Sequence, residues 1–247
     1  MKIATYNIWN SEAGMPFRLQ QITNEIKKIQ ADIICLQEVA NHEQHNHLAS
    51  ACKYVCSYYQ IQTGLSILSR LPIYKMEDFE FGTMAGIKFG TKTILIVNVH
   101  LPWESAYSRE KAIVNIVKKA QSQKDDFTFL MGDFNSSADS SVHRFLTNNQ
   151  SLLESDAYFY DLAEAFSEIT QTKIPPTLNF RKNPRWGVIQ PKNTIEVNER
   201  FDWIMLKNPY PLEFPVLKEC RLFGTEISEK TGLAASDHYG VWIEIEI

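Results

Sequence analysis

Cysteine is scarce in this sequence, and its spacing argues against a structural zinc site. The 247 residues contain four cysteines, Cys35, Cys52, Cys56 and Cys220. Cys52 and Cys56 stand one helical turn apart, but a closed zinc site needs a second pair of ligands, and none accompanies them. Cys35 lies within the apolar run DIICLQ, which indicates a buried thiol. We therefore expect reduced cysteines with structural roles.

A surplus of positive charge and a long apolar run are also lacking. The formal net charge is −4, so the chain has no global attraction to nucleic acid or to anionic membranes, and only a local basic patch remains compatible with such binding. No apolar segment is long enough to span a bilayer, and the start MKIATYNIWN lacks the apolar core of a signal peptide. We expect a soluble, cytoplasmic protein that does not insert into membranes.

Repeats, low-complexity tracts and linker-like compositions are absent as well. With 44% hydrophobic residues, a chain of this length is able to bury one large core. We therefore predict a single domain over residues 1–247, and we expect it to be monomeric.

What is present is a succession of short strands interrupted by helices. Apolar residues recur at helical spacing from Met15 to Ile29, with Pro16 suited to the first turn, and again over 108–121. Shorter helices are predicted within NHEQHNHLASA, VHRFL and LAEAF, and long loops over 171–199. Strands are predicted for KIATYNI, DIICLQEV, YVCSYYQI, GLSILS, PIYKMEDFEF, KTILIVNVH, FTFLMGDFN, RFDWIML and GVWIEIEI. This mixture indicates an α/β or α+β fold with packed sheets and external helices.

Polar residues recur at strand ends where the apolar pattern does not predict them. They are Asn7, Glu38, His100, Asp133, Asn135, Asp202, Asp237 and His238. Charged groups beside buried strands are costly unless they are paired, hydrogen-bonded or metal-bound. Each residue alone is typical of a turn or a cap. Together they indicate one polar floor, provided that the strand ends lie on the same side of the sheets.

The residue types in this set indicate hydrolysis of a phosphoester. Carboxylate and amide oxygens suit a hard cation such as Mg²⁺, and the absence of cysteine from the set argues against a closed zinc site. Histidines beside carboxylates suit proton transfer and the stabilisation of a charged oxygen. A metal ion that neutralises phosphate oxygens, together with an oriented water, completes that chemistry.

The motifs TYNIW, LQEV, NVHL, GDFN, RFDWI and SDHYGV, in this order, resemble the endonuclease/exonuclease/phosphatase superfamily. Its members include deoxyribonucleases, AP endonucleases, sphingomyelinases, inositol polyphosphate phosphatases, deadenylases and tyrosyl-DNA phosphodiesterases. The resemblance implies a four-layer α/β/β/α sandwich, in which two packed mixed β-sheets are flanked by helices and the active site lies at one edge. It also implies dependence on a divalent metal, Mg²⁺ or Mn²⁺.

Each motif residue receives a role from this resemblance. Glu38 is implied as the principal metal ligand, with Asn7 and Asp237 assisting. Asp133 and Asn135 are implied to orient the attacking water and to contact the phosphate, with Asp133 a candidate base. Asp202 is implied to hold the ring of His238 in its working tautomer, and His238 to stabilise the transition state or to transfer a proton. His100 is implied to contact a phosphate oxygen or the leaving group.

Other residues have two readings each. Arg70 and Arg109 are predicted either to bind phosphate or to form surface ion pairs. Trp186, Trp103 and Trp203 are predicted either to stack on a base or ring or to pack within the protein. Basic residues in the region 171–199 either follow a phosphate backbone or form a solvated loop, and these are Lys173, Arg181, Lys182, Arg185 and Lys192.

The first functional hypothesis is a metal-dependent phosphodiesterase that acts on a phosphoester substrate such as DNA or RNA, as a nuclease or a DNA-end phosphodiesterase. The second is a phosphomonoesterase or lipid-headgroup phosphodiesterase of the inositol phosphate or sphingomyelin type on the same scaffold. The third is a catalytically inactive binding protein.

Overall fold

The computed structural model describes residues 1–247, and its elements follow most of the predicted segments. The strands are β1 Lys2–Asn7, β2 Ile33–Gln37, β3 Cys56–Gln60, β4 Leu65–Ser69, β5 Ile73–Phe79, β6 Gly82–Phe89, β7 Lys92–His100, β8 Phe127–Asp133, β9 Phe159–Asp161, β10 Asp202–Lys207, β11 Val216–Phe223 and β12 Gly240–Glu246. The helices are α1 Phe17–Ile29, α2 His42–Ala51, α3 Ala106–Gln121, α4 Ser141–Leu146, α5 Leu162–Thr170 and α6 Pro184–Ile189. None of these helices has the length and hydropathy required to cross a membrane.

The strands form two six-stranded sheets, and the two central strands are arranged in the same way in both. The first sheet has the order β11-β12-β1-β2-β4-β3, and the second has the order β5-β6-β7-β8-β10-β9. At the centre of each sheet two strands run parallel, β1 beside β2 and β7 beside β8, with a helix in the connection between them. All other strand pairs are antiparallel, so both sheets are mixed, as predicted.

Buried apolar residues fall into three separate clusters, and these clusters define the layers. One cluster joins the first sheet to α1 and α2, another joins the second sheet to α3 and α4, and the third lies between the two sheets. Because a strand directs alternate side chains to opposite faces, each sheet contributes one face to the central cluster and one face to its helices. Three interfaces between four layers confirm the predicted α/β/β/α sandwich.

Two of the predicted helices begin at caps that the sequence contains. Asn41 accepts a hydrogen bond from the amide of Gln44 at the start of α2, and Ser105 accepts one from Ser108 at the start of α3. Such caps satisfy backbone donors that the first helical turn leaves free. In α3 the buried face includes Ile113 and Val117, which contact the second sheet as the periodicity predicts.

Four elements are absent from the sequence prediction. The missed strand β6 contains Gly82 and Gly86, and glycine normally weakens a strand. In β6 these glycines admit neighbouring side chains, because a Cβ at Gly82 would lie 2.1 Å from the Phe79 ring. The strand β11 was missed because it is a charged edge strand. The short elements β9 and α6 were also missed, and α6 lies inside the region predicted as loop.

Candidate active site

The inner faces of the two sheets change from apolar to polar toward one edge. The inward-facing series are Ile3, Thr5 and Asn7 on β1; Ile96, Asn98 and His100 on β7; and Phe129, Met131 and Asp133 on β8. Their polar ends lie at the carboxyl ends of parallel strands, and the antiparallel β10 begins at that edge because Asp202 pairs with Asp133. The apolar core thus gives way to a polar site between the sheets.

Asn7 joins the polar edges of the two sheets. Its side-chain nitrogen donates hydrogen bonds of 2.9 Å to Glu38 Oε1 and of 2.9 Å to Asp133 Oδ2. Its Oδ1 accepts a 3.0 Å bond from the amide of Trp9, and the second Glu38 oxygen accepts a 2.7 Å bond from the amide of Asn10. In this arrangement Asn7 orients two carboxylates through its NH₂ group, while its oxygen is engaged by the backbone.

The backbone around these residues adopts conformations that fix the site. Glu38 has φ of 60° and Asn135 has φ of 46°, in the left-handed region that non-glycine residues rarely occupy and that is common at functional sites. Gly132, the glycine of GDFN, permits the close contact of β7 with β8, because a Cβ there would lie 1.9 Å from the carbonyl oxygen of Val99. The motif glycine is therefore required by packing next to Asp133.

His238 is held between two carboxylates at the start of the last strand. Its Nδ1 lies 2.9 Å from Asp202 Oδ2, and its Nε2 lies 3.8 Å from Asp133 Oδ2. Burial alone would lower the pKa of His238, but the negative charges of Asp202 and Asp133 outweigh burial and hold its pKa well above the ordinary value. The second oxygen of Asp202, Oδ1, is buried without a hydrogen-bond partner. The histidine is therefore poised as an imidazolium with Nε2 available.

His100 and Asn135 border the same floor from the second sheet. His100 Nε2 lies 3.6 Å from Asp133 Oδ2 and 3.9 Å from Glu38 Oε1, and both distances are longer than a hydrogen bond. The amide of Asn135 donates to Asp133 Oδ1 at 2.8 Å, and its side-chain nitrogen donates to the Leu101 carbonyl at 2.8 Å. Asn135 thus orients Asp133 and anchors the segment after β7.

Asp237 lies in the loop before β12, next to the end of β1. The hydroxyl oxygen of Ser236 lies 3.1 Å from Asp237 Oδ1 and 2.8 Å from the backbone carbonyl oxygen of Asn7, and its single hydrogen is donated to one of these acceptors at a time. Burial raises the pKa of Asp237, and the nearby charge of Glu38 raises it further. A cation near both carboxylates would relieve this repulsion.

The donor set of the site fits a hard divalent cation. Of its four carboxylates, Glu38, Asp133 and Asp202 lie close to histidine nitrogens and Asp237 has no ion-pair partner, so none of the four forms an ion pair with a lysine or an arginine. Ligand atoms of Asp133, Asp202 and His238 lie within 4.8 Å of one another, and because a protonated His238 has no free nitrogen, the carboxylate oxygens are the ligands that this group offers. Glu38 is linked to Asp133 through Asn7, whose side-chain nitrogen donates a hydrogen bond to each carboxylate. Oxygen-rich sets of this kind suit Mg²⁺ or Mn²⁺.

The predicted substrate-binding residue Arg70 requires correction. It follows β4, which runs antiparallel to β2, and its amide donates to the Asp32 carbonyl at the start of β2. It therefore lies at the opposite edge of the sheet from Glu38, where its exposed guanidinium stacks over Tyr54. Arg70 is not part of this site.

Arg109 and Trp186 support loops of the site. Arg109 donates to the carbonyl of Trp103 at 3.0 Å and so contacts the segment that follows His100. The indole nitrogen of Trp186 donates to the Asp237 carbonyl at 2.9 Å. Trp203 is fully buried against Phe134, with ring centroids 4.4 Å apart, so it belongs to the core.

Sequence reasoning missed a group of residues that fixes the loop carrying Asp237 and His238. Asn183 donates to the carbonyls of Ser236 and Asp237 at 2.9 and 3.1 Å, and the buried Arg185 donates to the carbonyl of Ala234. Arg185 also lies over the Trp9 ring, 5.0 Å from its centroid. The basic character of this region was apparent in the sequence, but its inward orientation was not.

Arg18 completes this support from α1 and was also missed. Its guanidinium is buried and donates to the carbonyls of Ile8, Ala13 and Ala235, which belong to the segments after β1 and before β12. It stacks on Trp9 at 5.1 Å, in addition to Arg185. An arginine on the buried face of an amphipathic helix is the one sequence signal that indicates such a role.

Three comparisons relate the chain to known proteins. The model of the "Endonuclease/Exonuclease/phosphatase family" matches residues 4–238. A curated relative from Vairimorpha ceranae, described as "Probable CCR4-Not complex 3'-5'-exoribonuclease subunit Ccr4", is 22% identical over an alignment of 187 positions, and the match covers 54% of this chain and 39% of that protein. The match thus spans well under half of the relative's length.

Solved structures share the fold over the whole chain. The crystal structure of D. rerio TDP2 complexed with single-strand DNA product has a TM-score of 0.80 at 17% identity and covers 100% of this chain and 99% of that chain. An endonuclease/exonuclease/phosphatase family protein from Bacteroides thetaiotaomicron has a TM-score of 0.74 at 16% identity, covering 99% and 94%. From the family match over most of its length, the chain belongs to the endonuclease/exonuclease/phosphatase family.

Proposed function

We propose that the protein hydrolyses phosphodiester bonds in nucleic acid and that it requires Mg²⁺ or Mn²⁺. The observation that carries this proposal is the meeting of Asn7, Glu38, His100, Asp133, Asp202 and His238 at one edge of both sheets. The family match supports phosphodiester hydrolysis, and the similarity to a ribonuclease subunit and to a protein crystallised with a DNA product supports nucleic acid as the substrate.

The carboxylates divide into metal-holding and positioning groups. Glu38 and Asp237 would hold the metal, with Glu38 oriented by Asn7. When bound, the metal would neutralise phosphate oxygens and so favour attack at phosphorus. Asp133, oriented by Asn7 and Asn135, is placed to accept a proton from the attacking water.

His238 supplies positive charge where the phosphate gains negative charge. Asp202 accepts the Nδ1–H of His238, which leaves Nε2–H to donate to a phosphate oxygen in the transition state. The raised pKa keeps this ring protonated near neutral pH. His100, whose Nε2 also lies near Asp133 Oδ2, would contact another phosphate oxygen or the leaving group.

The absence of a lysine or arginine paired with the site carboxylates favours a diester over a monoester. A phosphodiester carries one negative charge, whereas a phosphomonoester carries nearly two at neutral pH and demands more cationic groups. The phosphomonoesterase alternative is therefore less well supported. A lipid headgroup is also a diester, and the preference for nucleic acid over it rests on the similarity to a ribonuclease subunit and to a protein crystallised with a DNA product. The complete set of site residues likewise disfavours a catalytically inactive binding protein.

A metal-dependence experiment tests the proposal. The purified protein is assayed on bis-p-nitrophenyl phosphate and on labelled DNA and RNA oligonucleotides, with Mg²⁺, with Mn²⁺ and with a chelator. We expect hydrolysis with metal, none with chelator, and loss of activity in Glu38→Ala. The control Glu168→Gln removes an exposed carboxylate of α5 and is expected to retain activity. Equal activity with and without chelator overturns the proposal, while release of phosphate from monoesters alone indicates the second candidate.

A cytoplasmic, monomeric protein remains part of the proposal, and sedimentation of the purified chain tests the monomer.

A further inference from the structure

A second concave region lies directly beside Glu38, between the segment after β1 and the start of α2. It has a volume of about 210 Å³. Its wall includes Asn10, whose amide donates to Glu38 Oε2 at 2.7 Å, and Ala40, two residues after Glu38. This pocket, which we term the α1–α2 pocket, therefore shares a wall with the proposed metal site.

The charges of the α1–α2 pocket argue against a phosphate as its occupant. Its lining contains Glu12 and Glu43 but no lysine or arginine. Neither carboxylate forms an ion pair or accepts a hydrogen bond within the chain, so both remain as acceptors. A phosphate group would be repelled by them. A neutral group that carries hydrogen-bond donors fits these charges.

Two side-chain amides supply donors to the same pocket. Asn41 Oδ1 accepts the 2.9 Å helix-capping bond from Gln44, and Gln44 Oε1 accepts a 2.7 Å bond from the amide of Ala40. Because the backbone engages both amide oxygens, the NH₂ groups of Asn41 and Gln44 are left without a partner in the chain. Gln44 is only 7% exposed, and its unpartnered NH₂ group retains a small accessible surface.

One wall of the pocket is apolar and is formed by Met15, Pro16 and Leu19 near the start of α1, while the polar residues Ser11 and His47 complete the lining. An apolar wall beside a rim of mixed donors and acceptors suits a flat ring whose edge carries both N–H donors and carbonyl or ring-nitrogen acceptors. Among the parts of a nucleic acid, the bases have this character, while the sugar and the phosphate lack it.

We propose that the α1–α2 pocket binds a nucleobase that flanks the scissile phosphate. The proposal rests on the function proposed above and deepens it, since it assigns part of the substrate recognition to a base rather than to the backbone. The phosphate occupies the site beside Glu38, and the adjacent base enters the pocket, where Asn41 and Gln44 donate to its edge and the carboxylates accept from it.

Dinucleoside monophosphates test this proposal because each contains a single phosphodiester bond. The values of kcat/KM are measured for these substrates, for analogues that lack either the 5′ or the 3′ base, and for bis-p-nitrophenyl phosphate. The test variant is Asn41→Ser, since serine preserves the helix cap but removes the NH₂ donor without adding charge. The matched control is Asn46→Ser, on the exposed side of the same helix and outside the pocket lining.

We expect kcat/KM to depend on one of the two bases and on Asn41. Removal of one of the two bases, but not of the other, lowers kcat/KM, and Asn41→Ser lowers kcat/KM for the intact substrate by about five- to tenfold, as the loss of one hydrogen bond implies. The variant causes no further loss on the analogue that lacks the recognised base, and none on bis-p-nitrophenyl phosphate. The control matches the wild type throughout.

Three results contradict the proposal: the first two reject only the pocket assignment, and the third rejects the proposed function as well. If the wild type cleaves all the diesters but removal of either base has no effect, or if Asn41→Ser loses equally on substrates with and without the base, the pocket does not bind a base. If the wild type cleaves no diester with either metal, the proposed function fails, and the pocket assignment fails with it.

Discussion

Two clusters of histidine and carboxylate in this molecule have the same residue types and opposite characters. Asp133, Asp202 and His238 form one cluster, and His143, Asp161 and Glu164 form the other; each has ligand atoms close enough together to hold a metal ion. In both, a histidine nitrogen lies about as far from an aspartate oxygen, 2.9 Å in the first and 3.0 Å in the second. Composition alone does not separate them.

The two clusters differ in whether an arginine neutralises their carboxylates. Arg200 lies 2.7 Å from Asp161 and 3.2 Å from Glu164, and Asp161 also accepts the amides of Ala163 and Glu164 as the cap of α5. Burial would raise the pKa of Asp161, but Arg200 and His143 overcome it and hold the pKa below its ordinary value. In the first cluster no arginine is present and one oxygen of Asp202 has no partner. A cluster neutralised by an arginine stabilises the fold, whereas a cluster that lacks one keeps oxygens available to a cation and a substrate.

The largest expected effect is a difference in kcat between two single variants, in which either His238 or His143 is replaced by asparagine. We expect His238→Asn to lower kcat for a phosphodiester by about 10²–10⁴-fold, because the donor at Nε2 is lost. We expect His143→Asn to retain kcat and to lower the melting temperature instead. Assays of kcat and thermal unfolding for both variants check this prediction. Loss of kcat in both variants, with equal stability, would remove the distinction between the clusters.

Removal of the neutralising arginine is the next test. Arg200→Met leaves Asp161 buried without its cationic partner, and breaking a buried pair in this way costs about 3–5 kcal/mol in the free energy of unfolding. Urea denaturation measures this cost. The matched variant Arg221→Met removes an exposed arginine that pairs with Glu219, and we expect it to change stability by under about 1 kcal/mol. Similar losses in the two variants would show that Arg200 is not the neutralising partner.

Arg185 extends the comparison because it supports the loop beside the first cluster without forming an ion pair with that cluster. It binds the Ala234 carbonyl and the Trp9 ring. We expect Arg185→Gln to lower kcat roughly tenfold or more, with little change in KM, because the loop that carries Asp237 and His238 loses its position. Arg185→Lys should recover part of kcat.

The control for Arg185 is an arginine on the same segment. Arg181 also donates to backbone carbonyls, those of Asn193, Thr194 and Glu196, but it is exposed and contacts a different loop. We expect Arg181→Gln to leave kcat unchanged. A higher KM with constant kcat in Arg185→Gln would mean that this arginine contacts substrate rather than positions the loop.

The smallest expected effect concerns a third buried histidine, His45, which has no carboxylate partner. Its ring nitrogens contact the hydroxyls of Ser66 and Ser57 at 2.8 and 3.2 Å. Burial, aided by the nearby His42, lowers the pKa of His45 from 6.5 to about 4. Between these values the unfolded chain binds more protons than the folded one, so this histidine makes stability fall as the pH falls through that window.

Unfolding free energies measured between pH 4 and 6.5 test this prediction. The variant His45→Gln should show a shallower loss of stability over this range than the wild type, while His47→Gln, which replaces an exposed histidine of α2, should follow the wild-type curve. An unchanged slope in His45→Gln would show that another group titrates there.

Much of the site was predictable because its residues follow strands. Asn7, Glu38, His100 and Asp133 each stand at or just beyond the carboxyl end of a strand with a clear apolar pattern, and parallel neighbours bring such ends together. Fold class followed from the same strands. The sequence contained enough local signal to place these residues at one edge.

The remaining features depend on contacts that sequence patterns do not contain. The direction of β4 decides that Arg70 lies at the wrong edge, and a single sequence does not state whether a strand runs parallel or antiparallel. The roles of Arg18 and Arg185 depend on carbonyl groups that are distant in the chain. Likewise, the glycines that obscured β6 are explained only by the side chains that pack over them.

Metal binding without substrate tests the central claim most directly. Titration of the protein with Mn²⁺, followed by electron paramagnetic resonance of the free ion, should show binding to the wild type that is strongly weakened in Glu38→Gln. Glu164→Gln, in the neutralised cluster, should bind as the wild type does. Equal binding by Glu38→Gln and the wild type, or a loss of binding in Glu164→Gln instead, would contradict the account.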